Sequence, residues 1–134
     1  MSRENLEIVE RAIEAFNERG VEGILPYIHP EFEATTPPNL ASEPDTYRGP
    51  DGIRRYFDSF YEAMDRVDFE PLDLIEVGDA VVVPMTLRAR GRTTGIETEQ
   101  HVVQIWELED GKAIRVRVFA TLEEAMAAAR APGP

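Results

Sequence analysis

The sequence predicts an α+β fold in which helices fill one face of a curved, mainly antiparallel β-sheet. Two observations predict it. Apolar residues recur at helical spacing in the first half of the chain, and they alternate with polar residues at strand spacing from residue 67 onward. In addition, Asp110-Gly111 lies between two alternating stretches, which is the pattern of a two-residue β-hairpin turn. Helices that precede a run of consecutive strands are typical of an α+β domain.

The composition is that of a globular protein, and the charge excludes several classes of partner. The 134 residues are 43% apolar and 30% charged, so we expect a single domain spanning 1–134 with a flexible tail at 131–134. A net charge of −12 argues against nucleic acid and membranes as partners. The chain has no cysteine, which excludes thiol catalysis and disulfides. Without a secretory signal or a bilayer-spanning apolar segment, a cytoplasmic location is expected.

Two helices are predicted near the start of the chain. Ser2 can cap the first helix, whose apolar spacing continues to Arg19-Gly20, where glycine suits the position after a helix end. A second, short helix is predicted over 21–28. His29-Pro30 should end it, because the residue before proline is disfavoured in the α conformation.

Two more helices lie further along. The third opens at Pro50-Asp51-Gly52 and carries an apolar stripe through Phe57 and Met64. The last covers 122–130, with Thr121 as its N-cap and Glu124 three residues later as the second member of a capping box.

The predicted strands surround a long loop. The loop runs from 37 to 49, and it is either a lid or binding loop or a plain surface connection. Pro71 suggests an edge or bulged strand. The predicted strands before the hairpin cover 31–36, 67–76 and 80–90, and a turn at 91–95 leads into the hairpin.

The hairpin pairing predicts an inner and an outer sheet face. If Asp110-Gly111 forms a type I′ turn, Glu109 lies opposite Lys112 and every later pair follows from that register. The face predicted to point inward carries Val103, Ile105, Ile114, Val116 and Val118. The face predicted to point outward carries Gln104, Trp106, Leu108, Arg115, Arg117 and Phe119, with Trp106 opposite Arg115.

Several segments together resemble a known superfamily. They are Ala15-Phe16-Asn17, Gly23-Ile24-Leu25, His29-Pro30-Glu31-Phe32-Glu33, Gly49-Pro50-Asp51-Gly52-Ile53-Arg54-Arg55-Tyr56-Phe57, Asp110-Gly111-Lys112 and Glu124-Ala125. In this order and spacing the chain resembles the nuclear-transport-factor-2-like (ketosteroid-isomerase-like) superfamily, and within it the SnoaL-like proteins, which include polyketide cyclases.

The resemblance implies a cone-shaped cystatin-like α+β roll. Its curved, mixed sheet would wrap around the N-terminal helices and leave a pocket open at one end. It also implies a homodimer through the outer sheet face, which by the predicted register consists of Gln104, Trp106, Arg115, Arg117 and Phe119.

Ketosteroid isomerase, an enzyme of this fold, provides a residue-by-residue test of activity. Its general base falls on Thr36, its oxyanion-hole Tyr on Ala12, and its protonated oxyanion-hole Asp on Val103 if the Asp-Gly turns are superposed. That proton transfer needs a base and two hydrogen-bond donors. None of the three residues can act in this way, so the resemblance argues against ketosteroid isomerase activity by that mechanism.

His101 is the first candidate for an acid or base, and Glu99 is the second. By strand alternation both share the face of Val103, and imidazole titrates near neutral pH. Alternatively, both merely line a wet strand end. A β-bulge within 95–103 would instead turn His101 outward and bring Gln104 inward. No cofactor or metal is expected, since the two histidines lie on different elements and cysteine is absent.

Three functions remain open from the sequence. The first is a SnoaL-like protein that binds a small apolar or amphipathic molecule. The second is a lyase, isomerase, cyclase or epoxide hydrolase that acts on a small hydrophobic substrate through His101. The third is a dimeric interaction module with a vestigial pocket. The predicted pocket lining is Phe16, Thr36, Phe57, Tyr61, Val83, Met85, Leu87, His101, Val103, Val116 and Val118.

Overall fold

The structure, a computed structural model, describes residues 2–35 and 46–130. Within these residues the helices are α1 (Ser2–Arg19), α2 (Val21–Ile24), a 3₁₀ turn (Leu25–Tyr27), α3 (Gly49–Ala63) and α4 (Leu122–Arg130). The strands are β1 (Ile28–Thr35), β2 (Thr46–Arg48), β3 (Met64–Pro71), β4 (Ile75–Val77), β5 (Ala80–Gly91), β6 (Glu97–Glu109) and β7 (Lys112–Phe119). None of the described helices combines the length and apolar character needed to cross a bilayer.

The strands form one curled, mixed sheet. Its order is β2-β1-β7-β6-β5-β3, and β4 also pairs with β5. β1 runs parallel to β7, whereas the other strand pairs in the described part of the chain are antiparallel. The sheet curls into a half-barrel, so the predicted α+β architecture is confirmed.

The main core lies between the inner face of the sheet and the long helices α1 and α3. Helix α1 contributes Val9, Ala12, Ile13 and Phe16, each at most 2% exposed, which confirms its predicted apolar stripe. Glycine at position 20 has a φ of +69°, and its N–H donates to the Phe16 carbonyl, as expected after a helix end.

A second, smaller apolar cluster lies on the outer face of the sheet, beneath α4. Val82, Val103 and Ile105 pack there against Ala125, which is fully buried. The middle of β6 is therefore covered on both faces, on one by the main core and on the other by the C-terminal helix.

The hairpin turn is correctly predicted, but the register of the hairpin is wrong. Asp110 and Gly111 have positive φ values of 53° and 76°, and Glu109 lies opposite Lys112. The pairing then shifts, because Ile114 is an extra residue in β7 between the partners of Leu108 and Glu107.

This bulge reverses the predicted faces of β6. Trp106 lies opposite Val116 instead of Arg115, and Gln104 lies opposite Val118. Residues opposite one another share a sheet face, so Trp106 and Gln104 point inward. Their neighbours Val103 and Ile105, which were predicted to point inward, belong to the outer cluster.

Several element boundaries also differ from prediction. The second helix is shorter than predicted, because Ile28 and His29-Pro30 already belong to β1. The strand predicted over 67–76 is two strands, β3 and β4, and Met64 begins β3 instead of ending α3. Strand β2 was missed within the predicted loop. Residues 37–45 of that loop, position 36 of the preceding predicted strand, and the predicted tail, 131–134, lie outside the described residues.

The predicted N-cap of α4 is confirmed. The Glu124 backbone N–H donates to Thr121 Oγ1 at 3.2 Å. The Thr121 hydroxyl in turn donates to Glu124 Oε1 at 3.0 Å, so the two side chains bond directly to each other.

Candidate functional site

A small cavity lies inside the half-barrel, between the long helices and the inner sheet face. Its volume is about 40 Å³, room for the centres of roughly three water molecules. It is lined by Ile13, Phe16, Ile24, Ile28, Phe32, Ala34, Ile53, Tyr56, Phe57, Phe69, Gln104, Trp106, Val116 and Val118.

Aromatic rings from three elements form much of the cavity wall. The centroid of Phe16 on α1 lies 4.6 Å from that of Phe57 on α3 and 5.0 Å from that of Phe69 on β3. Asn17 holds Phe69 in place, because its amide accepts from the Phe69 N–H at 2.9 Å and donates to the Phe69 carbonyl at 2.7 Å. The wall is thus built from tilted rings anchored to neighbouring backbone.

The strand β6 supplies a polar pair to this apolar lining. The Trp106 indole Nε1–H donates to Gln104 Oε1 at 2.8 Å, and Trp106 is only 4% exposed. Both side chains point inward because of the bulge at Ile114. The predicted register places both side chains outside. The predicted alternative, a bulge within 95–103, would bring Gln104 inward, but the observed bulge lies at Ile114 in β7.

Four of the predicted lining residues do lie in the cavity wall. They are Phe16, Phe57, Val116 and Val118. Val83 and Met85 are buried in the same core, but they lie away from the cavity wall. Leu87 lines a separate cleft between β3, β5 and β6, and Thr36 lies outside the described residues.

Tyr61 does not point into the cavity as predicted. A Cβ placed on Gly20 would lie 3.4 Å from the Tyr61 hydroxyl, so this hydroxyl lies beside the C-terminal end of α1. Partial burial, and secondarily the carboxylate of Asp68, raise the pKa of Tyr61. Its ring contributes to the core, and its hydroxyl faces away from the candidate site.

The prediction that His101 points inward is wrong. His101 is exposed and pairs with Thr86 of β5, on the sheet face opposite the cavity, where its Nδ1 lies 3.4 Å from Thr86 Oγ1. Glu99 shares that outer face, and its Oε1 accepts from Arg88 Nε at 2.8 Å. The two residues do lie on one face, but alternation from Gln104 and Val102 puts them outside.

The positions equated with ketosteroid isomerase residues carry no acid or base. Ala12 is buried within α1, and Val103 lies beneath α4 instead of inside the half-barrel. Its inward-pointing neighbours on β6 are Val102 and Gln104, neither of which is an acid. Among the described residues that line the cavity, none carries a carboxylate, imidazole or ammonium group.

Of the five residues assigned to the outer sheet face, only the three on β7 lie there. Gln104 and Trp106 point inward, whereas Arg115, Arg117 and Phe119 alternate onto the outer face. Arg115 forms an ion pair with Glu107, and the bond to that carboxylate raises the pKa of Arg115. The Arg117 guanidinium lies 5.9 Å from the Phe119 ring centroid. Its Nε is buried without a hydrogen bond in the described structure, but it forms an ion pair with Glu107 Oε2 at 3.7 Å.

His29, Glu109 and Asp110 form a cluster of possible metal ligands at the hairpin tip, with donor atoms within 4.8 Å of one another. The hydrogen bonds favour a different role. His29 Nδ1 accepts from the Glu31 N–H at 3.0 Å, so in neutral imidazole the proton sits on Nε2, which lies 3.5 Å from Glu109 Oε2. A protonated Nε2 has no lone pair for a cation, and the geometry instead links β1 to the hairpin tip.

Comparisons with known proteins agree with this architecture. A family model described as a SnoaL-like domain matches residues 9–116. No curated protein matches the sequence. Among solved structures, TerC co-crystallised with polyporic acid is 25% identical, has a TM-score of 0.78, and aligns over 96% of this chain and 99% of its own.

Two bacterial structures are similarly close. An NTF2-like protein from Burkholderia thailandensis E264 is 26% identical with a TM-score of 0.76, and one of unknown function from Burkholderia pseudomallei K96243 is 23% identical with a TM-score of 0.77. Each alignment covers 96% of this chain and 98% of the other.

Proposed function

The chain belongs to the SnoaL-like domain family, and on that premise we propose that it binds a small, mainly apolar molecule in the cavity of the half-barrel. The observation that carries the proposal is the lining. Apolar and aromatic side chains from both long helices and four strands converge there, with the Gln104–Trp106 pair as a polar element. Apolar clefts with few placed polar groups are the usual form of small-molecule sites.

The cavity has to widen to accept such a molecule. At about 40 Å³ it holds water-sized objects, whereas sites for organic ligands enclose about 300 Å³ or more. A ligand that separates the rings of Phe16, Phe57 and Phe69 replaces ring–ring contacts with ring–ligand contacts. Each square ångström of apolar ligand surface removed from water contributes about 25 cal/mol, which offsets the cost of that rearrangement. TerC, which has a similar fold, was co-crystallised with polyporic acid.

The lining favours binding over acid–base catalysis. General acid–base chemistry needs a titratable group within hydrogen-bond reach of the substrate. The described lining has no carboxylate or imidazole, and its one titratable side chain is the Tyr56 phenol. His101 and Glu99 lie on the other side of the sheet. Proton transfer by His101 on a bound substrate is therefore not part of the proposal.

Trp106 provides a direct test, since it is the only tryptophan in the chain and lies in the cavity wall. In a ¹H–¹⁵N correlation spectrum its indole N–H gives one signal. Titration with indane, a compact bicyclic hydrocarbon, should shift that signal in a saturable manner. Val118→Phe, which adds a ring to the cavity wall, should abolish the shift, whereas His101→Ala on the outer face should leave it unchanged.

The proposal is overturned if the folded wild-type protein shows no saturable indole shift up to the solubility limit of indane. Circular dichroism of Val118→Phe distinguishes a filled cavity from a misfolded variant. Should that variant lose its native spectrum, Ala34→Leu, at another lining position, replaces it.

A second candidate function is a dimeric interaction module with a closed cavity. The small cavity volume favours it, and Arg117 lies beside Phe119 on the outer sheet face, where a second copy would pack. Sedimentation velocity tests this candidate. A dimer that Arg117→Ala dissociates, and that the matched variant Arg130→Ala leaves intact, would support it, and a wild-type monomer at all concentrations would exclude it.

A further inference from the structure

We infer that Gln104 selects ligands by donating a hydrogen bond from its amide NH₂, so that the preferred ligand is an apolar molecule carrying a neutral carbonyl oxygen. This inference rests on the proposed function, because it concerns the same cavity. It adds a chemical class of ligand and names the residue that recognises it.

The contact with Trp106 fixes the orientation of the Gln104 amide. The indole Nε1–H of Trp106 can only donate, so the amide atom 2.8 Å from it must be the accepting Oε1. This contact removes the usual ambiguity between the two ends of a glutamine amide. Trp106 thus acts as a positioning residue: it occupies the amide oxygen and leaves the NH₂ end of Gln104 without a partner in the described part of the chain.

The NH₂ group of Gln104 has no hydrogen-bond acceptor among the described residues. The only hydrogen bond of the Gln104 side chain to the described residues is the one to Trp106. The Gln104 Nε2 atom is also not fully buried. Among the described residues, the fully buried side-chain nitrogen or oxygen atom that lacks a hydrogen bond is Arg117 Nε, not Gln104 Nε2. The cross-strand neighbours Val83 and Val118 are aliphatic, and Gln104 lines the cavity. Two N–H donors are therefore available to a molecule in the cavity.

The cavity lining favours a neutral ligand over an anionic one. No cationic side chain is among the described lining residues, so an ionised carboxylate there would lose its hydration without a counter-charge. A neutral carbonyl accepts the Gln104 N–H at far lower desolvation cost. An apolar frame bearing a ketone, ester or amide carbonyl therefore fits both the walls and the donor.

A matched pair of probes tests this inference. 1-Indanone and indane share one bicyclic frame and differ by a single carbonyl group. Because a net hydrogen bond contributes about 0.5–1.5 kcal/mol, the wild-type protein should bind 1-indanone roughly three- to tenfold more tightly than indane. Dissociation constants follow from the Trp106 indole signal in both titrations.

Variants assign the preference to its residue. Gln104→Leu combined with Trp106→Phe should abolish the preference for the ketone while retaining hydrocarbon binding, because neither N–H donor then remains in the wall. Gln104→Glu alone keeps an acceptor for the Trp106 indole and should weaken the preference by replacing the amide donors. Gln100→Leu, the same substitution at an exposed site on the same strand, should keep the full preference. Trp106→Phe, followed like the double variant by ligand-observed saturation transfer, should reduce the ratio of ketone to hydrocarbon affinity, since the amide is then free to rotate.

The outcomes separate this inference from the proposed function. Equal wild-type affinities for the two probes would overturn the carbonyl preference and leave cavity binding intact. A preference that survives in the double variant Gln104→Leu/Trp106→Phe, which removes both N–H donors, would overturn the role of Gln104. If neither probe binds the folded protein, the proposed function itself fails.

Discussion

Trp106 donates its indole N–H to the amide oxygen of Gln104 across 2.8 Å, and the two side chains lie on the same face of β6 because they are two residues apart. The bond ties a nearly buried aromatic ring to the most polar part of the cavity wall. It thus serves both the packing of the core and the orientation of the amide.

Trp106→Phe should destabilise the fold by about 2 kcal/mol. The change removes part of a buried ring and leaves Gln104 Oε1 without its donor. Urea unfolding followed by far-ultraviolet circular dichroism measures the effect, because the variant no longer contains tryptophan. An unchanged unfolding midpoint would mean that neither the contact nor the buried ring area contributes to stability.

Thr121→Ala should weaken the C-terminal helix by about 1 kcal/mol, whereas Thr121→Ser should cost less. The alanine variant loses the N-cap bond to the Glu124 N–H, and serine retains a hydroxyl that can form it. Amide hydrogen exchange should show faster exchange confined to α4 and to the strand residues beneath it, such as Ile105. Equal exchange in both variants would contradict the capping role.

Gly23→Ala should be more costly than Gly95→Ala, although alanine is the better helix former. A Cβ at Gly23 would lie 2.2 Å from the Ala15 carbonyl oxygen, so α1 and α2 would have to separate, at about 3 kcal/mol. Gly95 has a φ of +70° with nothing near its Cβ position, and only backbone strain of about 1 kcal/mol is expected. Thermal unfolding of the two variants compares these costs, and the reverse order would refute the clash.

Asp65→Asn should reduce stability at neutral pH but not in acid. The hydrogen bond from Arg90 holds the pKa of Asp65 below its ordinary value of 3.8. A lowered pKa in the folded state stabilises the protein above the ordinary pKa, and this contribution disappears as the pH falls through the folded value. The difference in melting temperature between wild type and variant should therefore be small and positive at pH 7, and it should disappear as the pH falls through the lowered pKa of Asp65.

The same pair has an internal control. If Asp65 acts through Arg90, then adding Asp65→Asn to Arg90→Gln should cause no further change in melting temperature at pH 7. A further loss in the double variant would show that Asp65 has another stabilising partner.

The sequence was sufficient for the fold class and the turn but not for the faces of β6. Asp110-Gly111 specified a type I′ turn because both positions need positive φ. The extra residue Ile114 cannot be detected from the sequence, because it fits the alternation of apolar residues with Arg115 and Arg117. A shift of one residue moves every side chain of a strand to the other face, so Trp106 was misplaced by a single insertion.

The covering of both sheet faces made this error hard to avoid. Val103 and Ile105 are apolar because α4 covers them, and Trp106 is apolar because it lies in the main core. Alternation of apolar and polar residues identifies the inner face of a strand only where the opposite face is exposed to solvent. The docking position of α4 depends on tertiary contacts that no local pattern encodes.

The parallel pairing of β1 with β7 has a consequence for how the chain folds. Ala34 pairs with Val116, so this contact joins two strands from nearly opposite ends of the described chain. Closing so long a loop costs conformational entropy before the stabilising contacts between the strands form. A high contact order therefore slows folding. The β5–β6–β7 meander, whose pairs are local, can form early, and β1 then docks against it. We therefore expect the half-barrel to close late in folding, and the cavity with it, because Ala34 and Val116 both lie in the cavity wall.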